Sequence, residues 1–538
     1  MAERDSRILA DMIALQAEAL PDLDVVTFEG GGRFADEIRT YAELWDNGNR
    51  VAAELIARGM APGDRFALLM RNHPEFIDVM VGASISACVF VPIDPRSRGR
   101  KLAYTLTNSD CKGIICADYC LDQVVEIRAQ LPGLEWILVL ASEDGPGLQP
   151  LPQVPGAEDM ACIYDRPAGA VNSRLKSPAD PLEIVYTSGT TGDPKGVVFQ
   201  NARYGSPVLR AIMPLEAGDR PYTGLSLTHG NAQMITLATS LSMGLRCVIS
   251  RRFTKSRLWD ITRQYGNTVF NLLGGMTAAI YAEPERDNDG DNPVRFVMSA
   301  GMPATIWQKF ERRFNLDVFE FYGAVEGGLA YKPIGVGPIG SFGKAPKGLE
   351  LKVVDEAGNE CPPGVLGELI SRPRKGPAPE VEYFKNADAS ARKTAGGWLR
   401  SGDVGHADAD GWLFFDYRKG GGIRHNGDFV NPGFIEQAIA EHPAVSDVFV
   451  YGVPAASGAP GEKDIVAAVV AATTAADFNA PSVFAACRRE LEANFVPSYL
   501  QLVEEIPKTA SEKPQERFLL DSFAVDAPNV YCEDRGLP

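Results

Sequence analysis

Nowhere does the chain carry a run of about 18 apolar residues, so no membrane span is expected. Its opening stretch, MAERDSRILADMIALQAEAL, contains acids and lacks the apolar core and cleavage site of a secretory leader. No peroxisomal tripeptide stands at Arg535-Gly536-Leu537-Pro538. Positive charge is in deficit, with 53 Lys and Arg against 70 Asp and Glu and a net charge of −17. That balance argues against nonspecific binding to nucleic acid or anionic lipid. Cys111, Cys116 and Cys120 form the only close cysteine group, and no histidine lies near them. All nine cysteines therefore read as reduced, mostly packing residues of a cytoplasmic protein, without a thiolate metal site. Repeats and low-complexity tracts are also missing. What remains is an ordinary globular composition, 45% hydrophobic and 23% charged. At 538 residues it suffices for several domains, or for one large α/β body and a smaller one.

Against this plain background stands Tyr186–Val198, YTSGTTGDPKGVV. Small hydroxyl side chains, glycines and one lysine sit between two apolar runs, Glu183–Val185 and Val197–Phe199, which read as strands. Glycines let backbone N–H groups approach an anion, and hydroxyls with a lysine complete such a nest. The ligand that suits it is a polyphosphate. By composition alone, an ordinary loop is an equally good reading. The segment is not a Walker A loop, because Lys195 follows Gly192 by three residues and a strand-like run comes next.

The first part of the chain alternates helical and extended runs. Tyr41–Arg58 and Pro74–Ala87 have helical spacing, while Phe66–Met70 and Val89–Pro92 read as strands. Further strands are expected at Leu225–Leu227, Cys247–Ser250 and Arg295–Ser299. Such alternation implies layered α/β subdomains. Asp144–Arg174, rich in Gly, Pro and acids, reads as a loop or linker. From Gly337 to Phe415 short strands such as Gly367–Ser371 and Trp412–Phe415 suggest a β-rich subdomain. The KGGG run at Lys419–Gly422 reads as a hinge or as a plain loop. After it, helices at Gly433–His442 and Ser482–Asn494 are expected, with strands at Asp447–Tyr451, Ile465–Ala471 and Leu500–Leu502. These suffice for a small α+β domain. The expected domains are residues 1–419 and 420–538.

Other segments bear chemistry. Tyr322-Gly323-Ala324-Val325-Glu326-Gly327 offers an aromatic face, a close-approach glycine and a carboxylate. Trp398-Leu399-Arg400-Ser401-Gly402-Asp403 ends in another carboxylate, and Asp416-Tyr417-Arg418 brings a guanidinium. Pro507-Lys508-Thr509-Ala510-Ser511-Glu512-Lys513 lies near the end. In this order and spacing the chain resembles the acyl-adenylate-forming (AMP-binding) superfamily, which includes acyl-CoA synthetases, carrier-loading adenylation domains and firefly-type luciferases. Within it, RRFTKSRLWD at Arg251–Asp260, EFYGAVEG at Glu320–Gly327 and FVPSYLQLVEEIPKTASEKPQ from Phe495 look like two groups. These are the crotonobetaine/carnitine-CoA ligases and the fatty-acid-transport/bile-acid-CoA ligases.

The resemblance implies an ATP-dependent carboxylic acid–CoA ligase that forms acyl-AMP and then a thioester. ATP, Mg²⁺ and coenzyme A are its implied cofactor and co-substrates. A small-molecule carboxylic acid is the implied partner, with no nucleic acid, no membrane span and a homodimer as the one assembly considered. Thr187, Ser188, Gly189, Thr190, Thr191, Gly192 and Lys195 would hold the β- and γ-phosphates. Glu326 would ligate Mg²⁺, and Lys513 would stabilise charge at the α-phosphate. Tyr322 and Gly323 would meet adenine, with Ser299, Ala300 and Gly301 lining the same pocket. Asp403 would accept bonds from the ribose, assisted by Arg418, and Gly420 falls at the hinge. The acyl pocket maps to Asn231, Met234, Gly274, Gly275, Met276, Ala324 and Gly328. His229 is grouped with Glu326 and Lys513 as catalytic, although it reads equally as a packing histidine.

Some positions depart from the superfamily pattern. Val325 replaces the usual Thr, Gly420 the usual Asp or Lys, and Glu512 the usual Gly. Tyr417 stands where Asp or Gly is usual, and Gly427-Asp428-Phe429 follows the hinge. No obligatory charge is lost, although a slow or unusual catalyst fits these changes. The expected acid is medium-sized, and branched, aromatic or alicyclic. A stand-alone enzyme that loads a carrier protein, a luciferase-type oxygenase and a catalytically weak adenylate-binding regulator are the competing readings.

Overall fold

The computed structural model describes residues 4–142, 154–167, 169–187, 194–281, 283–304, 306–418, 423–430, 432–457, 462–472, 474, 478–507, 514 and 516–533. The chain separates into two compact units. One comprises Met1–Pro95, Tyr104–Thr187 and Lys195–Tyr417, and the other consists chiefly of Arg418–Pro538.

The first unit is built on two large sheets, as the alternating pattern predicts. One has seven strands. In spatial order they are Ala157–Asp159, Trp136–Leu140, Cys111–Ala117, Arg65–Leu69, Val89–Ile93, Pro181–Thr187 and Lys195–Gln200. All pairings are parallel except the last, where Pro181–Thr187 and Lys195–Gln200 form an antiparallel hairpin. The other sheet has eight strands and ends in the antiparallel pair Asp317–Ala324 and Gly327–Lys332. Parallel strands buried on both faces read as continuous apolar runs, and Phe66–Leu69 and Val89–Val91 are such runs.

Helices cover these sheets. Tyr41–Ala57 starts with a capping box, in which Thr40 accepts from Glu43 N–H and Glu43 answers to Thr40 N–H. It packs on Pro74–Ser86 at close range through Gly48 and Gly82. A Cβ on either glycine would fall 2.4 Å from a valine Cγ1 of the facing helix.

Some expectations need correction. The strand placed at Leu225–Leu227 lies instead at Pro221–Thr223, where Tyr222 and Thr223 register with Val248 and Ile249. Leu225 and Leu227 belong to a turn that Asn72 holds, donating to Leu225 O and accepting from Leu227 N–H. The loop assigned to Asp144–Arg174 contains the edge strand Ala157–Asp159 and a helical turn, Ala161–Tyr164. Pairing with Ile137–Val139 recruits that strand despite its acidic composition.

The β-rich subdomain is a four-stranded sheet of Leu349–Val354, Gly367–Pro373, Leu399–Ala407 and Leu413–Arg418. In the second unit Val445–Pro454, Lys463–Ala471, Tyr499–Val503 and Val530–Cys532 form another sheet, flanked by helices Pro432–Ala440 and Ala480–Glu490. The latter helix begins before the expected Ser482 because the Asn479 side chain caps it. It stops at Glu490, short of the expected Asn494. Among the described residues no helix is long and apolar enough to cross a membrane.

Candidate active site

The antiparallel hairpin at the end of the eight-stranded sheet presents several candidate residues. Tyr322, Gly323 and Ala324 end its first strand, Glu326 lies in the turn, and Gly328 enters the second strand. Phe342 stacks on one face of Tyr322 at 4.6 Å between ring centroids. The Tyr322 hydroxyl donates to Asp403 Oδ2 at 2.6 Å. Asp403 is carried by the strand Leu399–Ala407 of the smaller sheet and is almost wholly buried. Two candidates 81 residues apart thus meet directly.

Glu326 has partners that the sequence did not single out. Tyr383 donates its hydroxyl to Glu326 Oε1 at 2.7 Å, and the Lys393 ammonium stands 3.4 Å from the same oxygen. Lys393 also donates to Ser401 O at 3.1 Å, two positions before Asp403. Tyr383 reaches the site because its segment joins the Lys195–Gln200 strand. Val198 N–H donates to Glu382 O, Phe384 N–H donates to Gly196 O, and Val197 bridges to Tyr383. Lys195 opens that strand, and its ammonium lies over the Tyr383 ring, 5.6 Å from the centroid. Thr187 pairs with Lys195 across the hairpin.

The Ser299-Ala300-Gly301 segment ends the neighbouring strand Phe296–Ala300. Gly301 takes a φ of +101°, a conformation that favours glycine. Glu320, missed at the sequence level, fastens this turn. Its Oε1 accepts from Gly301 N–H at 2.5 Å, and both oxygens accept from Met302 N–H at 3.2 Å. Burial pushes the Glu320 carboxyl up to about 8 against the pull of these donors and of Lys332.

The remaining candidates are more dispersed. Asn231 precedes the π-helix Ala232–Ala238 and accepts from the Asn271 amide. Met234 packs on the large core, whereas Met276 packs on the core behind Phe270 and Trp307. Gly274 and Gly275 begin the helix Gly274–Tyr281 directly after the strand Val269–Leu273. His229 is exposed, with Nε2 3.9 Å from Asp94 Oδ2. Its neighbour Gln233 turns inward and donates to Glu183 Oε1 at 2.7 Å and Leu227 O at 2.6 Å. Burial raises Glu183 to about 7. Ser188, Gly189, Thr190, Thr191, Gly192, Gly420 and Lys513 lie outside the described residues, and Arg418 ends the strand Leu413–Arg418.

The first unit thus carries an aromatic–carboxylate pair, Tyr322 and Asp403, on an α/β body built on two large sheets. Residues 13–376 match the AMP-binding enzyme family and residues 435–513 its C-terminal domain. The chain belongs to this family. It is 29% identical to a medium/long-chain-fatty-acid–CoA ligase of Mycobacterium marinum, over 96% of this chain and 98% of the relative. It is 26% identical to a crotonobetaine/carnitine–CoA ligase of Salmonella paratyphi B, over 88% of this chain and 91% of the relative. The fold is also that of an o-succinylbenzoate CoA synthetase from Bacillus subtilis, with a TM-score of 0.78 at 21% identity, covering 95% of this chain and 98% of that one.

Proposed function

We propose that this chain is an AMP-forming acid–thiol ligase, which activates a carboxylic acid with ATP and transfers the acyl group to coenzyme A. The observation that carries the reading is the Tyr322–Asp403 hydrogen bond within a chain of the AMP-binding enzyme family. It sets an aromatic face beside a carboxylate, the chemistry that adenine and a ribose diol require. The CoA ligases among its relatives support coenzyme A as the acceptor.

Phe342 covers one face of Tyr322, so adenine would stack on the opposite face, beside Ser299-Ala300-Gly301. Asp403 would accept from the ribose hydroxyls, with Arg418 assisting. Lys195, Thr187 and the Ser188–Gly192 segment would hold the β- and γ-phosphates. Two anions must meet in the first step, so neutralising charge is the main demand. Lys513 would serve the α-phosphate. Mg²⁺ fits the donor set, because Glu326 offers a hard carboxylate oxygen. Among the described residues no group of three or more His, Cys, Asp or Glu forms a protein cage. Such an ion would be held by one or two carboxylates together with substrate phosphates. When bound, it would supply neutralising charge to them.

In the first step the acid's carboxylate oxygen bonds to the α-phosphorus, and the bond to the bridging oxygen breaks as pyrophosphate leaves. In the second, the coenzyme A sulfur, having given up its proton, bonds to the acyl carbon and AMP departs with the bonding pair. Residues 420–538 would act as the mobile domain turning about Gly420 on residues 1–419, exchanging Lys513 for the thiol path. Asn231, Met234, Gly274, Gly275, Met276, Ala324 and Gly328 would shape the acyl pocket, with His229 as a polar handle for the acid. The substrate proposed is a medium-sized acid, branched, aromatic or alicyclic.

Pyrophosphate release and thioester formation across a panel of such acids, with and without coenzyme A, test the reading. Both should appear with at least one acid, and thioester only when coenzyme A is present. No ATP consumption with any acid would sink the ligase assignment.

A further inference from the structure

We propose that Tyr383 is a positioning residue that couples the two charges handling the phosphates, holding the Glu326 carboxylate with its hydroxyl and the Lys195 ammonium with its ring. The inference rests on the ligase reading for the roles of Glu326 and Lys195. Its geometry is independent of that reading.

Tyr383 is 6% exposed and packs among Val185, Val197, Phe199 and Leu399, so its ring has little freedom. Backbone pairing of its segment with Lys195–Gln200 fixes its height relative to Lys195. From that position the hydroxyl donates to Glu326 Oε1 at 2.7 Å. A phenol donor to a carboxylate is a charge-assisted bond, stronger and more directional than a neutral one. Lys393 approaches the same oxygen at 3.4 Å, so two groups act on Oε1 and oppose rotation of the carboxylate. The other end of the device is electrostatic. The Lys195 ammonium is 5.6 Å from the ring centroid, within the range where the negative face of a phenol attracts a cation. One rigid ring therefore sets the separation between an anion suited to a divalent cation and a cation suited to phosphate. Both would be needed in a fixed relation by a metal–nucleotide complex, since a correctly spaced pair avoids reorganisation on binding.

The test uses the full chain carrying Tyr383→Phe, which keeps the ring and removes only the hydroxyl. Equilibrium binding of MgATP is measured by calorimetry without any acid, alongside the melting temperature and, with an accepted acid, the separate KM values. Losing a hydrogen bond to a charged group should weaken MgATP binding about tenfold. KM for MgATP should rise in step, KM for the acid should stay level, and the melting temperature should change little. A second variant, Tyr383→Leu, removes the cation-attracting ring as well and should bind MgATP more weakly than Tyr383→Phe. Unchanged MgATP binding in Tyr383→Phe overturns the proposal. So does a fall in melting temperature with equal rises in both KM values, the mark of a merely structural role. A wild-type chain that binds MgATP but makes no thioester overturns the ligase reading instead, and the binding comparison still decides the role of Tyr383.

Discussion

Glu320 and Glu326 belong to the same hairpin, yet their surroundings differ in kind. Glu320 lies inside the sheet, where its oxygens receive backbone N–H groups of Gly301 and Met302. Glu326 lies at the turn, where a phenol and an ammonium meet a single oxygen. Backbone donors fix a loop, and burial outweighs their pull and pushes the carboxyl up to about 8. The Lys393 ammonium does something else, because it balances a charge. The contrast separates a carboxyl that fastens a turn from one proposed to handle ions, although the side chains of both are little exposed.

The sharpest way to break this contrast is to neutralise each carboxyl in turn. Glu326→Gln keeps size and loses charge, so it should lower kcat/KM for thioester formation by about 100-fold, as removal of one stabilising group in a preorganised site commonly does. Glu320→Gln keeps an acceptor for both N–H groups and should change the same quantity only a few-fold. Steady-state kinetics with one accepted acid measures both. Equal losses would erase the distinction.

Next in size is Lys393→Met. Taking the cation from a pair whose side chains are 13% and 7% exposed leaves the carboxylate with the Tyr383 donor and the charge of Arg203 near it. Breaking a buried pair from one side costs on the order of 3 kcal/mol, and the remaining phenol should reduce that. The melting temperature should fall by a few degrees without ligand, and saturating MgATP should restore more of it than in wild type. A melting curve identical to wild type would show that Lys393 contributes no balancing charge.

Much of this architecture was legible because buried parallel strands are written as apolar runs, and Cys247–Ser250 stands where the pattern put it. Leu225–Leu227 misled for the same reason. Apolar composition marks burial, whereas the strand is decided by pairing, and Asn72 holds that backbone instead. The proposed site stands in the sequence as residue types in order. Its internal contacts were not, because Tyr383 is 57 positions from Glu326 and only the strand pairing at Val197 brings it near. Glu320 sits two residues before Tyr322 in a recognisable motif. Its task depends on a neighbouring strand's turn, which no local pattern encodes.

The smallest expected effect is also the most selective test of the interior carboxyl. Glu320 rises from an ordinary 4.5 to about 8 on folding, mainly through burial. The folded chain therefore binds the extra proton between these values. Stability linked to it is fully present below about 4.5 and is lost as pH rises through about 8. Glu75 and Glu183 carry the same sign but reach only about 7. Asp78, Glu311 and Glu436 are raised by burial too, and comparison with Glu320→Gln cancels all of these shared contributions. Relative to Glu320→Gln, the wild-type melting temperature should fall steadily from about pH 4.5 to about pH 8, where only its carboxyl gives up a proton on unfolding, and the two curves should run parallel above that. Curves that stay parallel to pH 8.5 would mean that Glu320 is already ionised in the fold, and that the backbone donors, rather than burial, rule its charge.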